Sequence, residues 1–261
     1  MLDKASMVAG ITPLTWSDVL SVYGSSGIAP VRMLGTSAVT FFASKDGPCG
    51  FKIWGLTGGL VGLPSVTMQD VALTGDCNSP RYPPQLGGPD FDIATGPSAR
   101  APVYRNGRLF VAATWQQGQV GVASGVSSAI RWAEINVSNW PNAPTVIQDG
   151  TIGSDGVWYF FPAINVDASG NMVISFNTSG TTSYASIAAA VRLSTDASGT
   201  TRAPTLVKAG TAPMLTYDPA GRNRFADWSS IAVDPVTGGT WIHAQFAAPP
   251  PYQTWVAQIR P

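Results

Sequence analysis

Apolar and polar residues alternate along much of this chain. Phe161-Pro-Ala-Ile-Asn-Val166 runs into the turn Asp167-Ala-Ser-Gly170, and Met172-Val-Ile-Ser-Phe176 runs back. Alternation of period two, bounded by Asp, Ser and Gly, predicts a two-stranded hairpin. The phrase returns as Ser230-Ile-Ala-Val-Asp-Pro-Val-Thr-Gly-Gly-Thr-Trp-Ile-His-Ala-Gln-Phe246. A recurring phrase is a repeat unit and predicts architecture before any single residue does. The turn glycines Gly35, Gly107, Gly170 and Gly238 recur about 70 residues apart.

Each glycine sits in a unit of short strands. The first unit predicts strands at Val31–Leu34, Ala38–Ala43, Phe51–Leu56 and Val66–Leu73. The second predicts Pro102–Tyr104, Leu109–Thr114, Ala129–Val137 and Thr145–Gln148, with Asn106-Gly107 as a strong hairpin turn. The third continues the opening hairpin with Tyr184–Leu193 and Pro204–Lys208, and the fourth holds Ile231–Val233, Thr240–Phe246 and Thr254–Ile259. Four-stranded antiparallel units set radially make a β-propeller. The expected fold is therefore all-β: one propeller domain over 1–261, with about four blades at 29–75, 101–150, 157–209 and 211–261. The last unit lacks an outer strand, and the N-terminal segment 1–28 offers one near Leu14–Tyr23. Either that strand closes a four-bladed ring, or the chain is part of a larger ring. A two-layer β-sandwich is the rival fold, but it would not require so regular a repeat.

Composition agrees. Charged residues make up 11%, while Gly (28) and Pro (21) are frequent. Lysine occurs only as Lys4, Lys45, Lys52 and Lys208, and Glu134 is the only glutamate, which argues against a helical protein. The 15 basic residues balance the 15 acidic ones, so no overall field favours nucleic acid or an anionic membrane as partner. No apolar run reaches the length of a membrane span, so no membrane insertion is expected. Met1-Leu-Asp-Lys-Ala-Ser6 lacks the basic start and apolar core of a signal peptide. That leaves a cytosolic protein or a mature or cut form of a longer one; the resemblance given below implies the second, extracellular or at the cell surface. Cys49 and Cys77 lie in one unit and are candidates for a disulfide.

Several phrases carry a resemblance. They are Asp3-Lys-Ala-Ser-Met-Val-Ala-Gly10, Arg131-Trp-Ala-Glu134, Gln148-Asp-Gly150, Pro162–Asn171, Arg224-Phe-Ala-Asp-Trp-Ser229 with Ile231-Ala-Val-Asp-Pro235, and Thr254-Trp-Val-Ala-Gln-Ile259. In this order the chain resembles secreted bacterial β-propeller proteins described as sialidase-like or BNR-repeat-like, mostly without established activity. The resemblance implies export, and it implies that the chain corresponds to the C-terminal part of a larger propeller or to a shortened relative. Where that family tends to show Arg-Trp-Gly-Asp-Tyr-Ser, this chain has Arg224-Phe-Ala-Asp-Trp-Ser229. The Asp and Ser stand, and the aromatic positions differ.

In a propeller, the loop leading into each innermost strand opens on one face around the channel, where ligands commonly sit. That rule selects Arg100, Trp158, Tyr159, Arg224, Asp227 and Trp228 as candidate ligand-binding residues. Arginine forks suit carboxylate and phosphate, and aromatics suit sugar faces. The alternative is structural: Tyr159 and Trp228 packing between blades, and Asp227 tying down its own loop.

Catalytic sets are incomplete. A sialidase needs a Tyr activated by Glu, and Glu134 falls in a third strand, away from the channel. A two-carboxylate glycosidase could draw on Asp227 with Asp90, Asp92 or Asp155, with no spacing to single out a pair. A Ser-His-Asp triad would need His243, which alternates with Trp241 and Gln245 on a strand. Asp167 and Asp234 end equivalent strands and read as turn residues. No calcium loop, zinc ligand set or phosphate-cradling glycine loop is present in the sequence, so neither metal nor cofactor is expected. The Pro- and Gly-rich connection Asp76–Ser98 is long enough to be either functional or a surface insertion. The expected function is a recognition or structural module binding glycan or protein at the channel mouth. The alternative is a sialidase-like or other glycoside hydrolase on the same face. An incomplete ring would also self-associate through its sheet edges.

Overall fold

A computed structural model describes residues 4–11, 27–45, 50–58, 64–74, 82–93, 99–116, 127–227, 229–250 and 252–261. Cys49, Cys77, Trp228 and the Leu14–Tyr23 segment lie outside the described residues, so the disulfide and closing-strand expectations do too. A short helix, α1 (Lys4–Ala9), opens the described residues.

The rest is β. The third blade shows the pattern most fully. Strands β10 (Trp158–Val166), β11 (Met172–Gly180), β12 (Ser183–Arg192) and β13 (Thr205–Lys208) hydrogen-bond in sequence order as an antiparallel meander. Val166 faces Met172 across the predicted turn. That turn is held by Asp167, whose Oδ1 accepts from the N–H groups of Ser169 at 2.8 Å and Asn171 at 2.9 Å. Asp234 does the same for Val236 and Thr237 in the equivalent turn, and these bonds hold its carboxyl below the usual range.

The second blade is β6 (Val103–Arg105), β7 (Arg108–Gln116), β8 (Ser128–Asn136) and β9 (Thr145–Ile152). The first is β1 (Ala29–Pro30), β3 (Thr40–Lys45), β4 (Gly50–Thr57) and β5 (Ser65–Ala72). The fourth has three strands, β14 (Ser230–Val233), β15 (Thr240–Phe246) and β16 (Gln253–Ile259). The chain is thus a β-propeller of antiparallel blades, and among the described residues no strand pairs with the outer edge of β16. Val31, Phe41, Phe51, Tyr104, Leu109 and Trp115 fill the contact between blades one and two. Val103, Trp132, Tyr159, Ile164 and Phe176 fill the next contact, between blades two and three.

One strand differs from expectation. Val31–Leu34 was expected to be the inner strand of the first blade alone. In the structure, residues 29–34 serve two blades. Ala29 and Pro30 pair with β3, and the Val31 N–H donates to Phe41 O at 3.0 Å. The next N–H, of Arg32, points the other way and donates to Pro102 O at 2.9 Å. From there β2 (Arg32–Leu34) runs parallel to β6. The cause is general: successive N–H groups of an extended strand point to opposite sides.

The Arg32 side chain continues inward. Its guanidinium donates to Asn165 Oδ1 on β10 and to the Ile231 carbonyl on β14. Asn165 is fully buried and donates onward to Thr240 Oγ1 at 3.3 Å. Residues 29–34 are therefore joined by backbone to blades one and two, and the Arg32 side chain joins them to blades three and four. Burial lowers the Arg32 pKa, and the neighbouring Arg105 cation lowers it further. Arg32→Met would leave the Asn165 and Ile231 oxygens without this donor. Each unsatisfied buried group costs about 1–3 kcal/mol, so a loss of about 2–4 kcal/mol is expected in urea unfolding, against less than about 0.5 kcal/mol for an exposed arginine such as Arg260.

Candidate functional site

Segments leading into the inner strands meet at one end of the blades. Arg100 precedes β6, Phe161 lies near the start of β10, and residues 224–229 precede β14. The Arg100 guanidinium stacks over the Phe161 ring at 4.1 Å. Ser229 Oγ lies 3.5 Å from Phe161 O, and the Phe161 N–H donates to Thr114 Oγ1 at 3.1 Å. Three candidate residues converge there: Arg224 binds both carboxylate oxygens of Asp227 at 2.7 Å, and Arg100 approaches Asp227 at 3.9 Å.

The long connection completes the cluster. Residues 82–93 belong in sequence to the gap between blades one and two, yet they pack on the loops of blades three and four. Gln85 is the anchor. Its side-chain amide donates to Met214 O at 2.7 Å and accepts from Met214 N at 2.7 Å. Asn223 makes a second clamp, donating to Met214 O at 3.2 Å and Pro89 O at 3.3 Å while accepting from Thr216 N. The Asp92 N–H donates to Asn223 O at 2.9 Å. Phe91 is fully buried and stacks on Phe225 with centroids 5.0 Å apart. This connection is therefore a packed element, with apolar side chains for anchorage and buried amides satisfying its backbone.

Its consequence is electrostatic. Asp92 reaches Arg224 at 3.6 Å and Arg222 at 3.7 Å, and Arg222 binds Asp218 at 2.6 Å. The order Arg100, Asp227, Arg224, Asp92, Arg222, Asp218 is a ladder of alternating charge across the mouth. Hydrogen bonds from Arg222 hold the Asp218 carboxyl below its usual range and raise Arg222 in turn. Burial pushes Arg100 down to about 10, with Asp227 opposing and Arg224 adding to the shift. Tyr82 and Tyr217, exposed at 48% and 57%, are carried on the two segments that supply the ladder.

Backbone strain gathers at the same place. Among the described residues, four non-glycine residues have positive φ, and three of them flank the cluster: Ala101 at 45°, Phe161 at 55° and Ala226 at 58°. Phe161 sits at the register shift of β10 against β11. The Ala226 N–H is held by Gln245 Oε1 at 3.0 Å. Such conformations cost about 1–3 kcal/mol each and persist where the surroundings over-determine them.

The other candidates lie elsewhere. Tyr159 is buried between blades, edge-on to Phe176 with centroids 5.1 Å apart, and burial raises its pKa. Trp158 is half-buried against the cluster of Phe91, Phe160 and Phe225, and does not join the ladder. Trp228 is outside the described residues. Glu134 lies far from the mouth, bound to Arg108 and Gln148, both at 2.5 Å. His243 is half-buried on β15, opposite Ser230 and Val256. Among the described residues, no group of acidic, His or Cys side chains could hold a metal ion. Sequence reasoning missed Arg222, Asp218, Tyr82 and Tyr217, and left Asp92 among alternatives. The long connection signalled only Tyr82 and Asp92, which it carries; nothing in the sequence pointed to Tyr217, Asp218 or Arg222.

No family model matches the chain, and no curated protein does. Among solved structures, a GH43 protein of Bacillus licheniformis, BlXynB, matches 90% of this chain and 53% of its own at 12% identity, with a TM-score of 0.33. A xylan β-1,4-xylosidase from Bacillus halodurans C-125 matches 90% and 53% at 10% identity, with a TM-score of 0.29. This chain thus spans about half the length of the solved structures it matches. Likeness at that level says nothing about this chain's chemistry.

Lys45, at the mouth end of β3, yields a pH test. Its ammonium donates to Thr114 O at 3.0 Å and lies 4.8 Å from the Trp115 ring centroid. Burial pushes its pKa down from 10.5 to about 8. Between those values the unfolded chain holds a proton that the folded chain has released, so stability rises with pH across that window and is flat below it. The melting temperature is expected to rise from pH 8 to pH 10 in the parent protein. In Lys45→Met that rise should disappear.

Proposed function

We propose that the chain is a glycan-recognition module whose ligand lies across the ladder from Arg100 to Asp218 at the channel mouth. The observation that carries this reading is the charge alternation itself. Three guanidiniums and three carboxylates neutralise one another, so the face offers many directed donors and acceptors with little net field. That suits a neutral ligand rich in hydroxyl groups better than an ion. Tyr82 and Tyr217 supply the apolar faces against which sugar rings stack, and the strained backbone at Ala101, Phe161 and Ala226 supports pre-organisation. Export to the cell surface or beyond belongs to the same reading.

A second reading is hydrolysis of a glycosidic bond by Asp92 and Asp227. It is favoured by their convergence on one guanidinium, that of Arg224. Against it, both oxygens of Asp227 are already bound by Arg224, so a reacting carboxylate would first have to leave that clamp.

An array of neutral oligosaccharides tests the first reading. Binding is expected, with a loss of about fivefold or more in Tyr217→Ala, because one good aromatic contact is worth about 1 kcal/mol or more. An empty array together with an empty pull-down would sink the module reading. Turnover of a chromogenic glycoside that vanished in Asp227→Ala would replace recognition with catalysis.

A further inference from the structure

A cavity opens at the other end of the blades. It lies between blades two and three, at the turns that join inner strands to second strands, and its volume is about 360 Å³. That size suits a small organic ligand. Arg105, Arg108 and Arg192 line it, against a single carboxylate, Glu134, with Phe110 and the turn after β10 as its apolar and backbone walls.

The charges in this cavity do not cancel. Arg108 is paired with Glu134 at 2.5 Å, and Gln148 occupies the other Glu134 oxygen. Arg192 is buried, and its two terminal nitrogens donate to backbone carbonyls, Leu193 O at 2.9 Å and Asp196 O at 3.0 Å. The nearby carboxylates make their hydrogen bonds elsewhere, and Arg192 is the last and weakest of the charges acting on Asp196. Asp196 faces Leu193 N and Arg202, and Asp167 faces Ser169 and Asn171. Arg105 has no ion-pair partner among the described residues, and its buried Nε has no acceptor. It also stands close enough to Arg32 to lower that residue's pKa. A half-buried cation set beside another cation, with no counter-charge, costs stability in the empty protein.

We propose that this cavity is a binding site for a small molecule bearing an oxyanion, a carboxylate or phosphate group, with Arg105 and Arg192 as the charge-bearing walls. The bound anion supplies the missing counter-charge. Arginine forks match both groups in geometry, and Phe110 offers an apolar wall to the rest of the molecule. Glu134, already held by Arg108 and Gln148, shapes the rim. The site is independent of the mouth, which lies at the opposite ends of the same strands.

Titration calorimetry with inorganic phosphate, glucuronate and glucose tests this at low and high salt. Saturable binding of phosphate or glucuronate is expected, weakening with salt, with no binding of glucose. Binding of phosphate alone assigns the site to phosphate-bearing ligands, and binding of glucuronate assigns it to carboxylated ones. Arg105→Gln should weaken the anion about tenfold or more, the scale of one charge-assisted contact. The ligand-free variant should melt no lower than the parent, since repulsion of Arg32 is relieved; this also verifies that it folds. Arg108→Gln, at an exposed side chain, serves as a second variant and should weaken binding less. Absence of saturable binding by either anion, equal binding of glucose, or unchanged affinity in folded Arg105→Gln would overturn the proposal.

Discussion

The inner ends of all four blades depend on Arg32. Its backbone N–H serves the second blade while that of Val31 serves the first, and its guanidinium serves the third and fourth through Asn165 and Ile231. Apolar contacts between neighbouring blades fix how two sheets face each other, but such contacts are non-directional and tolerate sliding. Directed bonds from one side chain to two further blades do not. Arg32 thus sets the relative height of the inner strands, and that height decides which loop ends meet at the mouth. The arrangement has a cost, because the cation is partly withdrawn from water and its Nε lacks an acceptor. Replacement by a hydrocarbon would remove this cost and also the registry, as with other buried polar groups.

From that frame the site follows in two steps. Inner strands held level bring Arg100, Phe161 and Asp227 within reach of one another. The 82–93 connection then crosses to the far blades and adds Asp92. The ladder reaches this connection only through Asp92, whose pairs with Arg224 and Arg222 are long, 3.6 and 3.7 Å, and withdrawing that carboxylate from water offsets what they contribute, so the ladder is not what holds the connection down. Phe91, Gln85 and Asn223 do, through burial and through amides that satisfy backbone groups on both sides. The division of labour matters for mutation: changes in the ladder should alter the surface while leaving the connection seated, whereas changes at Gln85 or Asn223 should release both.

The repeat was legible because each blade's inner hairpin is a local object. Asp167 and Asp234, with Gly170 and Gly238, define turns whose hydrogen bonds span four residues, so pattern alone found them. Strands β7, β8, β11, β12 and β15 were found by alternation and by β-branched and aromatic content. What the sequence concealed is non-local. Nothing in Arg32-Met-Leu34 says that its N–H will seek Pro102, because the direction of a strand's hydrogen bonds depends on its neighbours. Asp92 could not be chosen over Asp90 or Asp155, since its partners are Arg222 and Arg224, far away in sequence. Tyr159 follows the structural alternative rather than the loop rule. The loop rule placed it at the mouth, but alternation along β10 turns its ring into the space between blades, where Phe176 meets it.

The even balance of charge in the whole chain hides two different local fields. At the mouth, alternation is complete, and every guanidinium of the ladder has a carboxylate within 4 Å. At the opposite end, Arg192 donates to the Leu193 and Asp196 carbonyls, and Arg105 stands beside the Arg32 cation with no ion-pair partner among the described residues. These ends are joined by strands of nine residues at most in the inner hairpins of blades two and three, a span of about 30 Å, several Debye lengths at physiological salt. Neither field therefore compensates the other. The ends must be treated as separate surfaces with opposite demands, a balanced one that favours directed hydrogen bonds and a cationic one that favours an anion. A net charge of zero describes neither of them.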